Sequence, residues 1–163
     1  MGKLRETVGT SATVLGFVGL PFTLASYLVE GKTGTTSGFA EVRKLREESP
    51  ELLHGILGVL ADNIGEYACY QVDSGAQVIQ VFDSWAGHLP EAEYKTFAEP
   101  YQKRVIETIK AKHPDVPVII YMAPDVHSKD GAFLDHLAAT GADCVSVDYT
   151  VDFGDTRARL PQT

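Results

Sequence analysis

Thr13–Tyr27 reads TVLGFVGLPFTLASY. Its first five residues, Thr13–Phe17, are apolar and partly β-branched, which suits a short buried strand. Gly19-Leu20-Pro21 then interrupts the run. Pro21 fits the first turn of a helix, and Gly31 fits the residue that stops it. The segment therefore reads as strand, tight loop and helix. No charge occurs anywhere in Thr7–Val29, a length that also invites a membrane-spanning reading. Gly9, Gly16, Gly19, Pro21 and several Ser and Thr residues argue against a span. No secretory pattern follows Met1.

Working outward, the same unit recurs. Val78–Phe82 (VIQVF), Pro117–Tyr121 (PVIIY) and Cys144–Asp148 (CVSVD) are short apolar runs expected to be strands covered on both faces. Helices are expected over Phe39–Glu48 and from Ser49-Pro50 to Gly75, the second with Leu53, Ile56, Leu57, Leu60, Ile64 and Tyr67 at helical spacing. Another starts near Pro90 with Phe97, Tyr101, Val105 and Ile109 on one stripe, and Pro100 should kink or split it. The last runs over Gly131–Thr140 with Phe133, Leu134 and Leu137 inward. Strands alternating with helices imply a parallel sheet. A nucleotide-binding open sheet should carry GxGxxG after its first strand, and GFVGLP does not match. The expectation is an α/β fold, a (β/α)8 barrel. A closed barrel takes about 250 residues, so four strands in 163 residues amount to about half of one.

The net charge of −8 disfavours nucleic acid, whose backbone needs a basic face. It leaves room for a small anion in a local pocket. Cys69 and Cys144 stand apart, without ligand-spaced histidines, and read as two buried reduced thiols rather than a metal site.

In a parallel barrel, chemistry gathers at the C-terminal ends of the strands. That rule selects Gly16-Phe17, Phe82-Asp83-Ser84, Tyr121-Met122 and Asp148-Tyr149-Thr150. The loop DSWAGHLP puts an acid, a hydroxyl, an indole and an imidazole within a few residues. Asp83 either orients its neighbours or caps the loop after it. His88 reads as a loop hydrogen-bonder, and Asp148 has no assigned role.

GFVGLPFTLASYLVEG, then VFDSWAGHL, PYQKRVIETIKAKHPDVPVIIY and VSVDYTVD in that order, resemble uroporphyrinogen decarboxylases over nearly the whole chain. The wording LRETVGTSATVLGFVGLPFTLASYLVEG looks most like plant and algal members. The resemblance implies that residues 1–163 are the central part of the barrel domain. It implies removal of carbon dioxide from the four acetate side chains of uroporphyrinogen III, giving coproporphyrinogen III, without cofactor or metal. It implies a homodimer in the plastid stroma, with the cytoplasm as the alternative. By position, Tyr27 matches the family's active-site tyrosine, a hydrogen-bonding partner near the reacting group. Ser84 matches a serine that binds a substrate carboxylate. Phe17 and Phe82 match positions beside the macrocycle, and Gly19 matches a glycine where backbone approaches substrate.

Some features depart from the family. Leu20 replaces a smaller residue, Tyr149 often stands as tryptophan, and Ala123–Gly131 is longer and more polar than the family's Gly-rich loop. The family's arginine-rich N-terminal segment, catalytic aspartate and late histidine have no counterpart here. An octacarboxylate needs cations, and Arg43, Arg46 and Arg104 are expected on helix surfaces, with no arginine at a strand end. The chain is thus expected to be the middle of a longer one and inactive alone. The alternatives are a corrinoid-linked methyltransferase on the same barrel, which would need His and Cys ligands for zinc, and a non-catalytic truncated paralogue.

Overall fold

The computed structural model describes residues 1–31, 38–123 and 131–160. Its first unit comprises α1 (Gly2–Val8), β1 (Leu15–Gly19), α2 (Pro21–Glu30), α3 (Ala40–Glu48) and α4 (Pro50–Asp73). The second is β2 (Val78–Phe82), a short 3-10 turn at Ala86–His88, α5 (Glu91–Phe97) and α6 (Glu99–Lys112). β3 (Val118–Tyr121), α7 (Leu134–Ala138), β4 (Cys144–Ser146) and α8 (Phe153–Arg159) complete it. The uncharged stretch Thr7–Val29 is divided among α1, β1 and α2. Among the described residues no helix is long and apolar enough to cross a membrane.

All four strands are parallel and lie in the order β1-β2-β3-β4. A doubly wound sheet reverses its order at a switch point and carries helices on both faces. Here the order never reverses. Gly16, Val18, Ile79, Val81, Val118 and Ile120 are buried under the helices. The other face stays open, with Leu15 41% and Phe17 64% exposed. A sequential parallel sheet with one covered face is an arc of a barrel wall. The expectation of strands covered on both faces is corrected to this extent: among the described residues, only one face is covered.

β1 runs two residues past the expected end, because Val18 and Gly19 pair with Val81 and Phe82 and Leu20 N–H donates to the Phe82 carbonyl at 2.8 Å. β4 stops two residues early. The Asp148 carboxylate accepts from Thr150 N–H at 2.6 Å, a side-chain turn that draws the chain out of the ladder. α2 keeps its expected bounds, with Gly31 left-handed at φ 64°, where a side chain would be strained. Pro100 splits its helix: α5 ends at Phe97, Ala98 breaks the spiral, and Pro100 sits in the first turn of α6.

On α4 the expected stripe holds at Leu53, Leu57 and Ile64, but Tyr67 is 57% exposed. Small residues take its place: Ala61, Gly65 and Ala68 are buried, so α6 can come close. A Cβ on Gly65 would lie 2.9 Å from Thr108 Cβ. Gly65→Ala is therefore expected to lower the melting temperature, overpacking of roughly 1–3 kcal/mol outweighing a helix-propensity gain of about 1 kcal/mol. Gly55→Ala, on the same helix with open space around it, should raise it. Thermal unfolding of both variants checks this; a rise in both would contradict the close crossing. Cys69 is buried as expected, whereas Cys144 is exposed because it lies near the start of edge strand β4.

Candidate active site

The open face of the sheet carries two cross-strand rows fixed by register. The lower is Phe17, Gln80, Ile119 and Cys144. The upper, at the C-terminal ends of the strands, is Gly19, Phe82, Tyr121 and Ser146. Phe17 stands edge-on to Phe82 at 6.3 Å between ring centroids, and Phe82 likewise to Tyr121 at 5.8 Å. The three rings form an apolar strip across the mouth of the wall, in the edge-to-face geometry that aromatic quadrupoles favour.

Phe17 is also held from behind. Gln71 of α4 accepts from Phe17 N–H at 3.1 Å and donates to the Phe17 carbonyl at 3.0 Å. It completes the edge of β1 as one residue of another strand would. Gly16 makes room for this: a Cβ there would meet Gln71 Oε1 at 2.7 Å. Gly19 has a packing reason of its own, since a Cβ would lie 2.9 Å from Leu24 Cδ2.

Beyond β2 the chain turns through Asp83-Ser84-Trp85. The Trp85 indole packs edge-on to Tyr27 of α2 at 6.2 Å and against Phe39 at 5.1 Å. His88 lies tilted against the same Phe39 at 4.4 Å between ring centroids. Trp85 Nε1 is buried without an acceptor among the described residues. Tyr27 is 41% exposed, its ring standing nearly perpendicular to the indole. The structure thus gathers Phe17, Gly19 and Phe82 on the open face of the sheet, with Phe17 one row below the other two; Tyr27 meets Trp85 ring to ring, and Ser84 precedes Trp85 in the chain.

The hydroxyls of Tyr27 and Ser84 share a property. Neither makes a hydrogen bond among the described residues, whereas the other hydroxyls on α2 are used. Ser26 donates to the Phe22 carbonyl at 2.8 Å, and Thr23 donates to Asp83 Oδ1 at 2.8 Å. A hydroxyl with no structural partner at the C-terminal edge of a barrel wall is available to a ligand.

Asp83 is fully buried and caps neither its own loop nor a following helix. Leu20, the N-cap of α2, has no side-chain acceptor to offer, and Asp83 fills that role from the neighbouring strand. Its Oδ1 accepts from Thr23 N–H at 2.9 Å as well as from the Thr23 hydroxyl. Its Oδ2 accepts from Gln102 Nε2 at 2.8 Å, and Gln102 Oε1 accepts from Tyr94 at 2.6 Å. Trp85 N–H closes the circuit on the Thr23 hydroxyl at 3.1 Å. Burial pushes the Asp83 carboxyl up to about 6, against the hydrogen bonds from Gln102 and Thr23 that pull it down. Burial, then the charges of Asp83 and Glu99, raise the Tyr94 phenol.

Thr23, Gln102 and Tyr94 did not stand out in the sequence. The available signal was Asp83 itself, an acid directly after an apolar strand, opposite a helix whose own N-cap position holds leucine.

All six arginines lie on helices: Arg5 on α1, Arg43 and Arg46 on α3, Arg104 on α6, Arg157 and Arg159 on α8. Arg46 is more covered than expected, pairing with Glu93 at 2.8 Å. Arg104 pairs with Asp62 and Arg159 with Asp135. Among the described residues no cluster of three His, Cys, Asp or Glu side chains could hold a metal ion. The polar stretch within Ala123–Gly131 falls, over 124–130, outside the described residues.

The family description "Uroporphyrinogen decarboxylase (URO-D)" matches residues 1–163, the whole chain. The chain belongs to the uroporphyrinogen decarboxylase family. A uroporphyrinogen decarboxylase of Parasynechococcus marenigrum is 49% identical over 162 residues, covering 99% of this chain and 44% of the relative. One from Prochlorococcus marinus is 50% identical over 160 residues, 98% of this chain and 44% of the relative. The chain therefore spans less than half the length of the curated relatives it matches. A methyltransferase from Methanosarcina mazei aligns with a TM-score of 0.72 and 22% identity, over 90% of this chain and 39% of that one. That likeness is one of fold, and it agrees with the arc of barrel wall that the strand order and single covered face define. The uroporphyrinogen decarboxylase family thus accounts for the partial barrel and for the order of the motifs along it.

Proposed function

We propose that residues 1–163 are the central part of a uroporphyrinogen decarboxylase barrel and form one wall of its substrate pocket. The reaction is removal of carbon dioxide from the acetate side chains of uroporphyrinogen III. Protonating a pyrrole α-carbon makes a cationic ring that can accept the electrons left by a departing carboxylate. The protein must orient the macrocycle, hold its carboxylates and favour the cation. In this chain Ser84 donates to a substrate carboxylate and Tyr27 hydrogen-bonds near the reacting group. Phe17 and Phe82 lie beside the macrocycle, and Gly19 presents backbone. The cationic clamps come from residues outside 1–163, since no arginine here lies at a strand end.

The observation that supports this reading is that two hydroxyls, that of Tyr27, whose ring meets Trp85, and that of Ser84, which precedes Trp85 in the chain, make no hydrogen bond among the described residues. A homodimer and a plastid setting, with the cytoplasm as the alternative, belong to the same proposal. The plant-like wording of Leu4–Gly31 favours the plastid, the cyanobacterial sources of the relatives leave the cytoplasm as the alternative, and the homodimer rests on the family resemblance alone.

The test is an exchange protein, the Parasynechococcus marenigrum relative with its matching segment replaced by residues 1–163. Incubated anaerobically with uroporphyrinogen, it is expected to form coproporphyrinogen at a rate within about tenfold of the unaltered relative, one tenfold step being about 1.4 kcal/mol. The 163-residue chain alone is expected to form none. A cooperatively folded exchange protein without turnover would overturn the reading.

A further inference from the structure

The two proposed substrate-contacting hydroxyls lie 57 positions apart in the chain, one on α2 and one on the loop after β2, and neither bonds to its neighbours. Something must fix their separation, because misplacement by about 1 Å costs orders of magnitude in rate. The edge-to-face Trp85–Tyr27 contact at 6.2 Å orients the ring but makes no bond to the Tyr27 hydroxyl. The Asp83 circuit is directional. One carboxylate oxygen takes both the backbone N–H and the hydroxyl of Thr23, one helical turn before Tyr27. The same Thr23 hydroxyl takes the N–H of Trp85, the residue after Ser84. The other carboxylate oxygen is tied to Gln102 of α6, itself held by Tyr94 of α5. Asp83 directly precedes Ser84 in the chain. The lock therefore joins the turn that carries Tyr27 to the loop that carries Ser84, and anchors both to the outer helices.

We propose that Asp83 is a positioning residue, whose carboxylate, through Thr23, sets the placement of Tyr27 and Ser84 toward a bound porphyrinogen. Asp83 has no exposed surface, so it acts only through these neighbours. The inference rests on the decarboxylase reading above.

It is tested in the exchange protein with Asp83→Asn and Thr23→Val, each close in shape to the original. Asn at 83 retains an acceptor for Thr23, and a flip of the Gln102 amide accommodates its new donor. Val at 23 removes the hydroxyl that bridges Asp83 and Trp85. Thr23→Val is expected to lower kcat roughly tenfold while KM stays within about threefold, an effect on orientation rather than binding, whereas Asp83→Asn, which keeps the circuit, is the conservative variant and should stay within about threefold of the parent in kcat. In the Tyr27→Phe, Ser84→Ala background Thr23→Val should change kcat by less than about twofold, because it acts through those groups. If the tenfold loss persists undiminished in that background, or if only the melting temperature moves, Asp83 is structural and the inference falls. Should Asp83→Asn not fold, Thr23→Val carries the same comparison. If Tyr27→Phe and Ser84→Ala leave kcat/KM untouched, the site reading itself fails, an outcome distinct from additivity.

Discussion

The exchange protein carrying Tyr27→Phe and Ser84→Ala together is expected to lose roughly a thousandfold in kcat/KM, with its melting temperature moved by no more than about 2 °C. The size follows from what each hydroxyl does. A hydrogen bond to a charged group contributes about 1.5–3 kcal/mol, so each deletion alone should cost 10- to 100-fold. The unchanged stability follows from their surroundings. Neither hydroxyl is bonded among the described residues, and Phe keeps the ring that packs against Trp85. Steady-state kinetics with uroporphyrinogen and a thermal melt check both halves. A large drop in melting temperature would mean that the hydroxyls serve the fold.

Asp83→Ala should act in the opposite way, on stability first. It strips the acceptor from Thr23 N–H, the Thr23 hydroxyl and Gln102 Nε2 in a site without water access. It also uncaps α2, whose N-cap residue has nothing to offer. Orphaned buried donors cost about 1–3 kcal/mol each, partly relieved by relaxation, so a loss on the order of 3 kcal/mol is expected in denaturant unfolding near pH 7. Asp83→Asn should cost far less.

The pair also isolates a proton linkage. The folded carboxyl titrates at about 6 against an ordinary 3.8, so the folded state binds the proton more tightly. This group's stabilisation is full below about pH 4 and is lost as pH rises through 6, about 3 kcal/mol in all. Glu91, Asp135 and Asp143, lowered chiefly through Lys95, Arg159 and Lys110, work in the reverse sense at acid pH. The difference between the parent and Asp83→Asn removes their contribution. That difference should favour the parent more at pH 4 than at pH 7; a flat difference would contradict the buried carboxylate.

Much of the fold was legible from residue order. Strand β2 and helix α2 were bounded by their own punctuation: an apolar run ending at an acid, and Pro21 with Gly31. The split at Pro100 followed from a ring that cannot sit inside a helix. What escaped was set by partners distant in the chain. Tyr67 fits the helical period, yet α6 approaches α4 along Ala61, Gly65 and Ala68, and periodicity says little about small residues. Cys144 reads as a core thiol, but an edge strand leaves it exposed. The premature end of β4 depends on the Asp148 side chain reaching Thr150. The site divides similarly. For the proposed site, Tyr27 and Ser84 were singled out through motifs that place them on a helix and after a strand. The lock that joins them was not, because Thr23, Gln102 and Asp83 are 19 to 79 positions apart and meet only when the barrel wall forms.

The central claim is that the open face of this wall, with Phe17 and Phe82 on it and Ser84 and Tyr27 beside Trp85 in the loop and helix that follow its strands, faces the porphyrinogen. The most direct measurement is a crystal structure of the exchange protein with coproporphyrinogen bound under anaerobic conditions. The expected result is Ser84 Oγ at about 3 Å from a product carboxylate, the Tyr27 hydroxyl directed at the macrocycle, and the rings of Phe17 and Phe82 against it at van der Waals distance. A product seated elsewhere in the barrel, with Ser84 and Tyr27 both facing solvent, would contradict it.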